Sequence, residues 1–191
     1  MRYDKGHKDE TRRHILDVAS AQFRESGIAA VGIAGIMAEA GLTNGAFYSH
    51  FASKEELVRK VLIDALTRRE ERHRDNLENG VALEATIREY LSTRHRDRAG
   101  TGCPTAALAA EIARHPKATR DAFTGKLADI IVLMAEQIRQ GSPERRRRKA
   151  ITIYATMVGA LQLARAVNDK PLSDEILENA VEAAIATANA R

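Results

Sequence analysis

The chain has 191 residues, of which 44% are hydrophobic and only 4% aromatic, and this length is sufficient for one or two domains with a buried core. Lysine and arginine number 30 against 26 acidic residues, so the chain is mildly basic and compatible with a polyanionic partner. Its single cysteine excludes an intramolecular disulfide and a cysteine-based zinc site. Because no stretch resembles a signal peptide or a membrane span, we expect a cytoplasmic protein with no membrane partner.

The N-terminal residues 1–8 are basic and lack helical periodicity, which predicts a loose arm. Two interpretations of the arm are a disordered terminus and a segment that contacts phosphates. A helical pattern of apolar residues then predicts a helix from Asp9 to about Ser26, which Gly27 closes.

Two short helices around a tight turn are predicted next. An apolar helical pattern ends at Gly41, because glycine readily adopts the left-handed conformation that terminates a helix. Thr43 is expected to cap a second helix, residues 44–50, through its hydroxyl. Phe47 and Phe51 lie four residues apart on the inner face of that helix. The spacing fits a helix-turn-helix, whose second helix enters the major groove of DNA, and it also fits an ordinary corner between two helices.

The residues themselves favour the first interpretation. The stretch GLTNGAFYSHFASKEEL, residues 41–57, resembles the recognition-helix signature of the TetR family of bacterial transcriptional regulators. The matching positions are Gly41, Thr43, Gly45, Ala46, Phe47, Tyr48, His50, Phe51, Ser53, Lys54 and Leu57. The resemblance implies an all-α fold, in which an N-terminal three-helix helix-turn-helix domain precedes a six-helix ligand-binding and dimerisation domain.

One departure from the family concerns the start of the first turn helix. Family members usually carry Thr and Ser there, whereas this chain has Val31 and Gly32. We therefore expect a weaker phosphate contact at this point but an intact fold, because Gly32 can still serve as the N-cap residue.

Candidate DNA contacts follow from side-chain chemistry and from the resemblance. The amide of Asn44 can pair with the edge of an adenine, and the Ala46 methyl can touch a thymine methyl. His50 and Lys54 are candidates for phosphates. The resemblance implies backbone contacts from Thr43, Tyr48, His50 and Lys54, and positions near bases for Asn44, Gly45, Ala46 and Ser49.

The remainder of the chain is predicted to be helical. Ser53 and Glu56 form a capping box for a helix over 54–79, and its charged second half, residues 68–74, is interpreted as a solvated face. Further patterns predict helices over 81–94, from Pro104, over 116–140, from Pro143 to about residue 168, and from a cap at Ser173, with a loop over 95–102. By resemblance these make nine helices, divided into a DNA-binding domain over 1–53 and a ligand-binding and dimerisation domain over 54–191, which begins with the linking helix 54–79.

A homodimer interface is implied by the family for two helices with small or aliphatic stripes, and core packing within one subunit is the alternative. The interface candidates are Ile151, Ala155, Val158, Gly159, Gln162, Ala166, Leu177, Val181, Ala184 and Ala188. Ligand-pocket candidates, which are equally compatible with ordinary core, are Ile87, Tyr90, Leu91, Cys103, Leu108, Ile112, Phe123, Leu127, Ile130, Met134, Tyr154 and Met157. The scarcity of aromatic and buried charged residues favours an apolar or weakly polar ligand.

Cys103 lies at a predicted helix N-terminus, where free amides favour a thiolate, so a redox or electrophile sensor is an alternative to a buried core cysteine. The basic run over 145–149 is interpreted as a solvated face or a second nucleic-acid site. No catalytic constellation, metal site or cofactor motif is found.

The sequence thus predicts a repressor, not an enzyme. It would bind a palindromic double-stranded operator, associate with the nucleoid when bound, and be released by a small-molecule inducer. A ligand-independent DNA-organising protein is the alternative.

Overall fold

The fold is entirely helical over the residues that the computed structural model describes, 5–190. Ten α-helices and one short 3₁₀ helix follow one another, and no strand occurs in this range. In chain order they are α1 (Lys5–Ser26), α2 (Ile33–Glu39), α3 (Asn44–Phe47), α4 (Lys54–Glu78), α5 (Leu83–Tyr90), α6 (Thr93–Asp97), the 3₁₀ helix (Ala99–Thr101), α7 (Pro104–Ile112), α8 (Lys117–Gln137), α9 (Pro143–Ala166) and α10 (Lys170–Asn189). The predicted all-α class is confirmed.

The first helix begins earlier than predicted. α1 starts at Lys5, so the second half of the predicted arm is helical rather than loose. The hydroxyl of Thr11 donates to the carbonyl of His7 at 2.8 Å, and no proline interrupts this turn. Residues 1–4 of the arm lie outside the described residues.

The first helix of the turn, α2, is terminated by a glycine, as predicted. Gly41 has a φ of +68°, and the next amide, that of Leu42, donates to the carbonyl of Met37 at 2.8 Å. Gly32 is the N-cap residue of α2, as expected. The Thr43 prediction is wrong in one respect, because its hydroxyl makes no capping hydrogen bond although Thr43 is the N-cap residue of α3.

Two further capping predictions had different outcomes. The Ser53 hydroxyl accepts from the Glu56 amide at 3.1 Å, and the Glu56 carboxylate reaches back to the Ala52 amide at 2.8 Å, which confirms the box at the start of α4. Ser173 does not cap the last helix, because Asp169 accepts from the Leu172 amide at 3.1 Å instead.

Helix α6 is the element that the sequence patterns missed. The predicted helix over 81–94 ends at Tyr90, and the Ser92 hydroxyl accepts from the amide of His95 at 3.2 Å, which starts a separate short helix. α6 is fixed by Arg96, whose buried guanidinium donates to the Ser173 hydroxyl at 2.9 Å and pairs with Asp174. Residues 5–190 therefore contain one more α-helix than the nine that were expected.

Two hydrophobic cores hold these helices together. The N-terminal core packs α1, α2 and α3 against the first half of α4, and it also contains Leu108 and Ile112 from α7. The C-terminal core joins α5, α8, α9 and α10, and Phe123 packs against both cores. The N-terminal core therefore crosses the domain boundary that was predicted at residue 53.

The end of the basic run has a structural role. Lys149 is buried on α9, and its ammonium donates to the carbonyls of Ala188, at 3.2 Å, and Ala190 at the end of α10. A cation at this position satisfies carbonyls that the helix leaves without partners. The other residues of the run, 145–148, lie at the surface or are half-buried.

Candidate DNA-binding and ligand-binding sites

The second helix of the turn, α3, is anchored on one side and exposed on the other. Phe47 is 0% exposed, packs in the N-terminal core, and lies 5.6 Å from the ring of Phe51. The neighbouring Tyr48 is 68% exposed. A helix of one turn has little stability of its own, so the buried phenylalanine rings fix its position. Asn44 and Gly45 are exposed on the same segment.

The small residues of this segment leave room for a close approach by a partner. A Cβ atom added at Gly45 would meet no other atom within 4 Å, so the fold itself does not require glycine there. Ala46 is half-buried, and its carbonyl accepts from the hydroxyl of the exposed Ser49 at 2.7 Å. Thr43 is exposed.

Of the two predicted phosphate ligands, Lys54 has a hydrogen bond within the protein, whereas the buried Nδ1 of His50 has no hydrogen-bond partner. The ammonium of Lys54 donates to the carbonyl of Ile28 at 2.7 Å, so this residue links α4 to the loop after α1. Burial, followed by the charges of Lys8 and Arg12, lowers the pKa of His50. At neutral pH the imidazole is therefore a hydrogen-bonding group rather than a cation.

Two cations of α1 act on His50, and of these the sequence patterns singled out only Lys8, as part of the basic arm. The guanidinium carbon of Arg12 is 4.7 Å from the centroid of the Phe51 ring, and Lys8 lies one turn earlier on α1. Their spacing of four residues places them on one face of α1, and for Arg12 this spacing was the only available signal in the sequence.

The predicted interface residues divide into an exposed group and a buried group. On α9, Ile151 and Ala155 are exposed, and a Cβ at Gly159 would meet nothing within 4 Å. Leu163, which was not predicted, continues this line and is 58% exposed. On α10, by contrast, Leu177, Val181 and Ala184 belong to the C-terminal core, so their assignment to a subunit interface is wrong. The predicted core alternative holds for these three.

Most predicted pocket residues are also core. Leu108 and Ile112 belong to the N-terminal core, and Ile130, Met134 and Met157 are fully buried in the C-terminal one. The other core members of the set are Ile87, Tyr90, Leu91, Cys103, Tyr154 and the half-buried Phe123 and Leu127. Among the predicted pocket residues, only Tyr90 lines the cavity described next.

A polar cavity of about 450 Å³ lies between α4, α5 and the segment from α6 to the 3₁₀ helix. We call it the arginine cavity, because Arg69, Arg72, Arg94 and Arg98 line it. His73, 4% exposed, also lines it, and the Arg69 Nε is buried. The second half of α4 is therefore not simply the solvated face that was predicted, and the structure contains the buried charge that the sequence did not reveal.

His95 connects this cavity to Cys103. Its Nδ1 lies 2.6 Å from the Tyr90 carbonyl, and its Nε2 accepts from the Cys103 amide at 2.9 Å, so the proton resides on Nδ1. Cys103 is the N-cap residue of α7 and is 0% exposed, with its sulfur 3.9 Å from the Tyr154 hydroxyl. Burial raises the pKa of the thiol, but the Arg69 guanidinium and polar neighbours together bring it below its ordinary value.

Acidification from neutral pH to about pH 4 is expected to lower the free energy of unfolding. Burial lowers the pKa of His73 and of His95 from 6.5 to about 4. The unfolded chain takes up these protons below pH 6.5, whereas the folded chain does so only near pH 4. Stability contributed by the two neutral rings is therefore lost through this window, by on the order of 3 kcal/mol each.

Urea unfolding at several pH values measures this loss. Because carboxylates titrate in the same range, the comparison is between the wild type and two variants. His73→Gln should lose a clear part of the pH dependence, whereas His14→Gln, at an exposed position on α1, should retain all of it. Equal slopes for all three proteins would contradict a neutral His73 in the folded state.

The two halves of the chain are joined by polar contacts as well as by the shared core. The Glu111 carboxylate on α7 accepts from the amides of Ile28, at 3.2 Å, and Ala29, at 2.9 Å. The Arg24 guanidinium on α1 donates to the carbonyl of Gly100 in the 3₁₀ helix at 2.6 Å. Movement of the 3₁₀ helix or of α7 would therefore be transmitted directly to α1 and to the loop that precedes α2.

Over the described part of the chain, no helix is long and apolar enough to cross a membrane. Within residues 5–190, no group of three or more His, Cys, Asp or Glu side chains could hold a metal ion.

Comparison with known proteins agrees with the architecture of both halves. Residues 15–61 match the family model of bacterial regulatory proteins of the tetR family, and residues 80–180 match that of the tetracyclin repressor-like C-terminal domain. The fold therefore defines a helix-turn-helix regulator with a helical C-terminal domain. The chain belongs to the TetR family.

Individual relatives are similar over only part of their sequences. The HTH-type transcriptional repressor KstR2 of Rhodococcus jostii (strain RHA1) is 31% identical over 90 residues, which are 47% of this chain and 44% of that protein. The HTH-type transcriptional regulator AcrR of Shigella flexneri is 40% identical over 60 residues, 31% of this chain and 28% of the relative. This chain thus matches less than half the length of each relative.

Solved structures share the fold over nearly the whole chain. The reduced form of NemR from E. coli has a TM-score of 0.78 at 23% identity, with 92% of this chain and 95% of that chain covered. A TetR-family regulator from Agrobacterium tumefaciens has a TM-score of 0.77 at 22% identity and covers 92% of this chain and 98% of its own.

Proposed function

We propose that the protein is a homodimeric transcriptional repressor that binds a palindromic operator and is released from it by a small ligand. The observation that carries the proposal is the construction of α3, in which buried Phe47 fixes a helix whose Asn44, Gly45 and Tyr48 are exposed. Side chains displayed in this way can enter a major groove without distortion of the core. We infer a cytoplasmic protein that associates with the nucleoid when bound to DNA.

The DNA contacts are assigned by chemistry. Base edges are contacted by Asn44, Gly45, Ala46 and Ser49, and the DNA backbone by Thr43, Tyr48, His50 and Lys54. Lys54 donates to phosphate with the protons that the Ile28 carbonyl leaves free, since an ammonium has three donors. Lys8 and Arg12 add positive charge close to His50, which follows α3, and the exposure of Lys8 supports this assignment.

The homodimer forms through the outer face of α9. Ile151, Ala155, Gly159 and Leu163 are spaced four residues apart along one line of this helix, and none is buried. Small residues in the middle of the line allow two helices to approach closely. A two-fold axis at this line would present one α3 from each subunit to the two halves of a palindrome. Of the other interface candidates, Ala166 is exposed, whereas Val158, Gln162 and Ala188 are partly buried, and Val158 and Ala188 pack against the C-terminal core.

Selection of bound sequences from a random pool of double-stranded DNA tests the proposal. The intact chain should enrich one palindromic sequence, with half-sites about one helical turn apart. Enrichment of no sequence, with binding that depends only on DNA length, would support the DNA-organising alternative and contradict the repressor.

Asn44→Ala is expected to relax the preference for one base pair in each half-site by about 1–3 kcal/mol, because an amide that pairs with a base edge is lost. Repeated selection and gel-shift titration measure this effect. Asn179→Ala removes an exposed asparagine from α10 and provides the matched control, which should select the wild-type sequence. An unchanged preference in Asn44→Ala would remove this residue from the base contacts.

A further inference from the structure

Three buried polar atoms without hydrogen-bond partners lie around the arginine cavity. They are the Arg69 Nε, the His73 Nδ1 and the Tyr90 hydroxyl, out of six such side-chain atoms in the part of the chain that the structure describes. His73 is 4% exposed and Tyr90 3% exposed, so water covers little of either side chain. After burial, the nearby Cys103 sulfur also raises the pKa of Tyr90, although the hydroxyl has no partner with normal hydrogen-bond geometry. Buried polar groups are normally paired, so this concentration indicates a binding site for a polar molecule.

Two of these groups are hydrogen-bond donors held side by side. The guanidinium carbon of Arg69 lies 4.7 Å from the centroid of the Tyr90 ring, so the ring supports the guanidinium. Burial raises the pKa of Tyr90 well above its ordinary value, which keeps the hydroxyl protonated and able to donate. Arginine remains charged in proteins and has no acceptor atom. The natural partner for this pair is an oxygen acceptor that carries negative charge.

The charge of the cavity wall leads to the same conclusion. Four guanidinium groups line the cavity, whereas Glu89 is the only carboxylate among its described lining residues. Glu89 lies 3.8 Å from Arg72, and both side chains are largely exposed, so this pair compensates little of the charge. His73 and His95, with pKa values of about 4, add no charge at neutral pH. The wall therefore has a surplus of positive charge.

We propose that the arginine cavity binds a small organic anion, with a carboxylate or similar oxyanion on Arg69 and Tyr90 and with polar groups that reach His73. This inference rests on the proposed function and specifies the chemical class of its ligand. A volume of about 450 Å³ is within the range of small-molecule sites. The apolar or weakly polar ligand expected from the composition does not fit this wall.

The position of the cavity also provides a route from the ligand to the DNA-binding half. Arg69, Arg72 and Thr101 line a second cavity of about 370 Å³, whose other wall includes Asp17 and Arg24 of α1. An anion that draws the Arg69 and Arg72 side chains into the arginine cavity therefore moves side chains that also line the second cavity, beside α1. Arg24 already binds the carbonyl of Gly100, beside Thr101, at 2.6 Å.

Matched pairs of small molecules test the ligand class on the intact chain. Benzoate, succinate and phenyl phosphate are compared with benzamide, succinamide and phenol by thermal unfolding and titration calorimetry. At least one anion is expected to raise the Tm by several degrees, because a ligand that binds only the folded state stabilises it, while its uncharged counterpart has no effect. Absence of binding by all three anions, or equal shifts by anion and counterpart, would overturn the proposal.

Variants locate the bound anion. Arg69→Gln should weaken binding of the effective anion at least tenfold, since a charge-assisted hydrogen bond is lost. Arg94→Gln, at an exposed position of the wall, is a second test that does not disturb the Tyr90 contact, and Arg120→Gln on the outside of α8 is the control. Undiminished affinity in both cavity variants would place the anion elsewhere and contradict the assignment.

DNA binding, measured on the same preparations without small molecules, separates the two proposals. Sequence-specific binding together with no anion binding leaves the repressor in place and refutes the ligand class. Absence of sequence-specific DNA binding by the wild type refutes the proposed function, regardless of whether the anions bind.

Discussion

Replacement of Phe47 by Ala is expected to lower the free energy of unfolding by about 3–5 kcal/mol and to abolish operator binding. The ring is fully buried in the N-terminal core and is the main anchor of α3. Its loss leaves a cavity under a helix of one turn, which has little stability of its own. Chemical denaturation measures the first effect, and gel-shift titration measures the second.

The neighbouring Tyr48→Ala is the matched comparison. Tyr48 is 68% exposed, so its removal should change the free energy of unfolding by less than about 0.5 kcal/mol. It should nevertheless weaken operator binding about tenfold, because its hydroxyl is assigned to a phosphate. If Tyr48→Ala binds the operator with wild-type affinity, the exposed face of α3 is not the surface that meets DNA.

Introduction of a charge at Leu163 is expected to convert the protein to a monomer and to weaken operator binding by a hundredfold or more. Leu163 is 58% exposed on the α9 line, so Leu163→Glu does not disturb the core of the subunit. In a two-fold dimer this change would bring two unpaired carboxylates into an apolar contact, which is strongly unfavourable. Each monomer would then contact one half-site of the operator, whereas the dimer contacts two.

Analytical ultracentrifugation and gel-shift titration provide the two measurements. Val132→Glu is the control, because Val132 is also an exposed aliphatic residue, at 46%, but lies on α8. Val132→Glu should unfold at the wild-type denaturant concentration, whereas Leu163→Glu should lose only the part of the stability that dimerisation supplies, which depends on protein concentration. A dimeric Leu163→Glu protein would show that the subunits associate through another surface.

The turn between two short helices was predictable because its determinants are local. Gly41 and the Ser53 cap act on residues within a few positions of themselves, so a linear pattern contains the information. That the turn is a helix-turn-helix and not an ordinary corner was predicted only from the family resemblance of residues 41–57. The predicted hydroxyl cap at Thr43 failed because a residue type that can cap need not do so. Helix α6 was missed for a related reason, since Ser92 interrupts a helical pattern without any glycine or proline.

Interactions between distant segments were not predictable from such patterns. Lys54 was expected to contact only DNA, but its ammonium donates to the carbonyl of Ile28, 26 positions earlier in the chain. Arg69 and His73 lie on a helix half that looked uniformly polar, and they face the cavity because α5 and the segment beyond it cover them. On α10, Leu177 and Val181 belong to the apolar stripe that was expected to form an interface. The structure shows that both residues are buried in the core of the same subunit, with residues of α9.

The contribution of α7 to the N-terminal core has a consequence for protein engineering. Leu108 and Ile112 pack with the helices of the DNA-binding half, and Glu111, between them, accepts hydrogen bonds from the loop after α1. A graft of residues 1–53 onto another regulator would leave these partners behind and expose the apolar surface that they cover. A chimaera that keeps its new DNA specificity must therefore carry the first half of α4 and α7, or matching replacements, together with the first three helices.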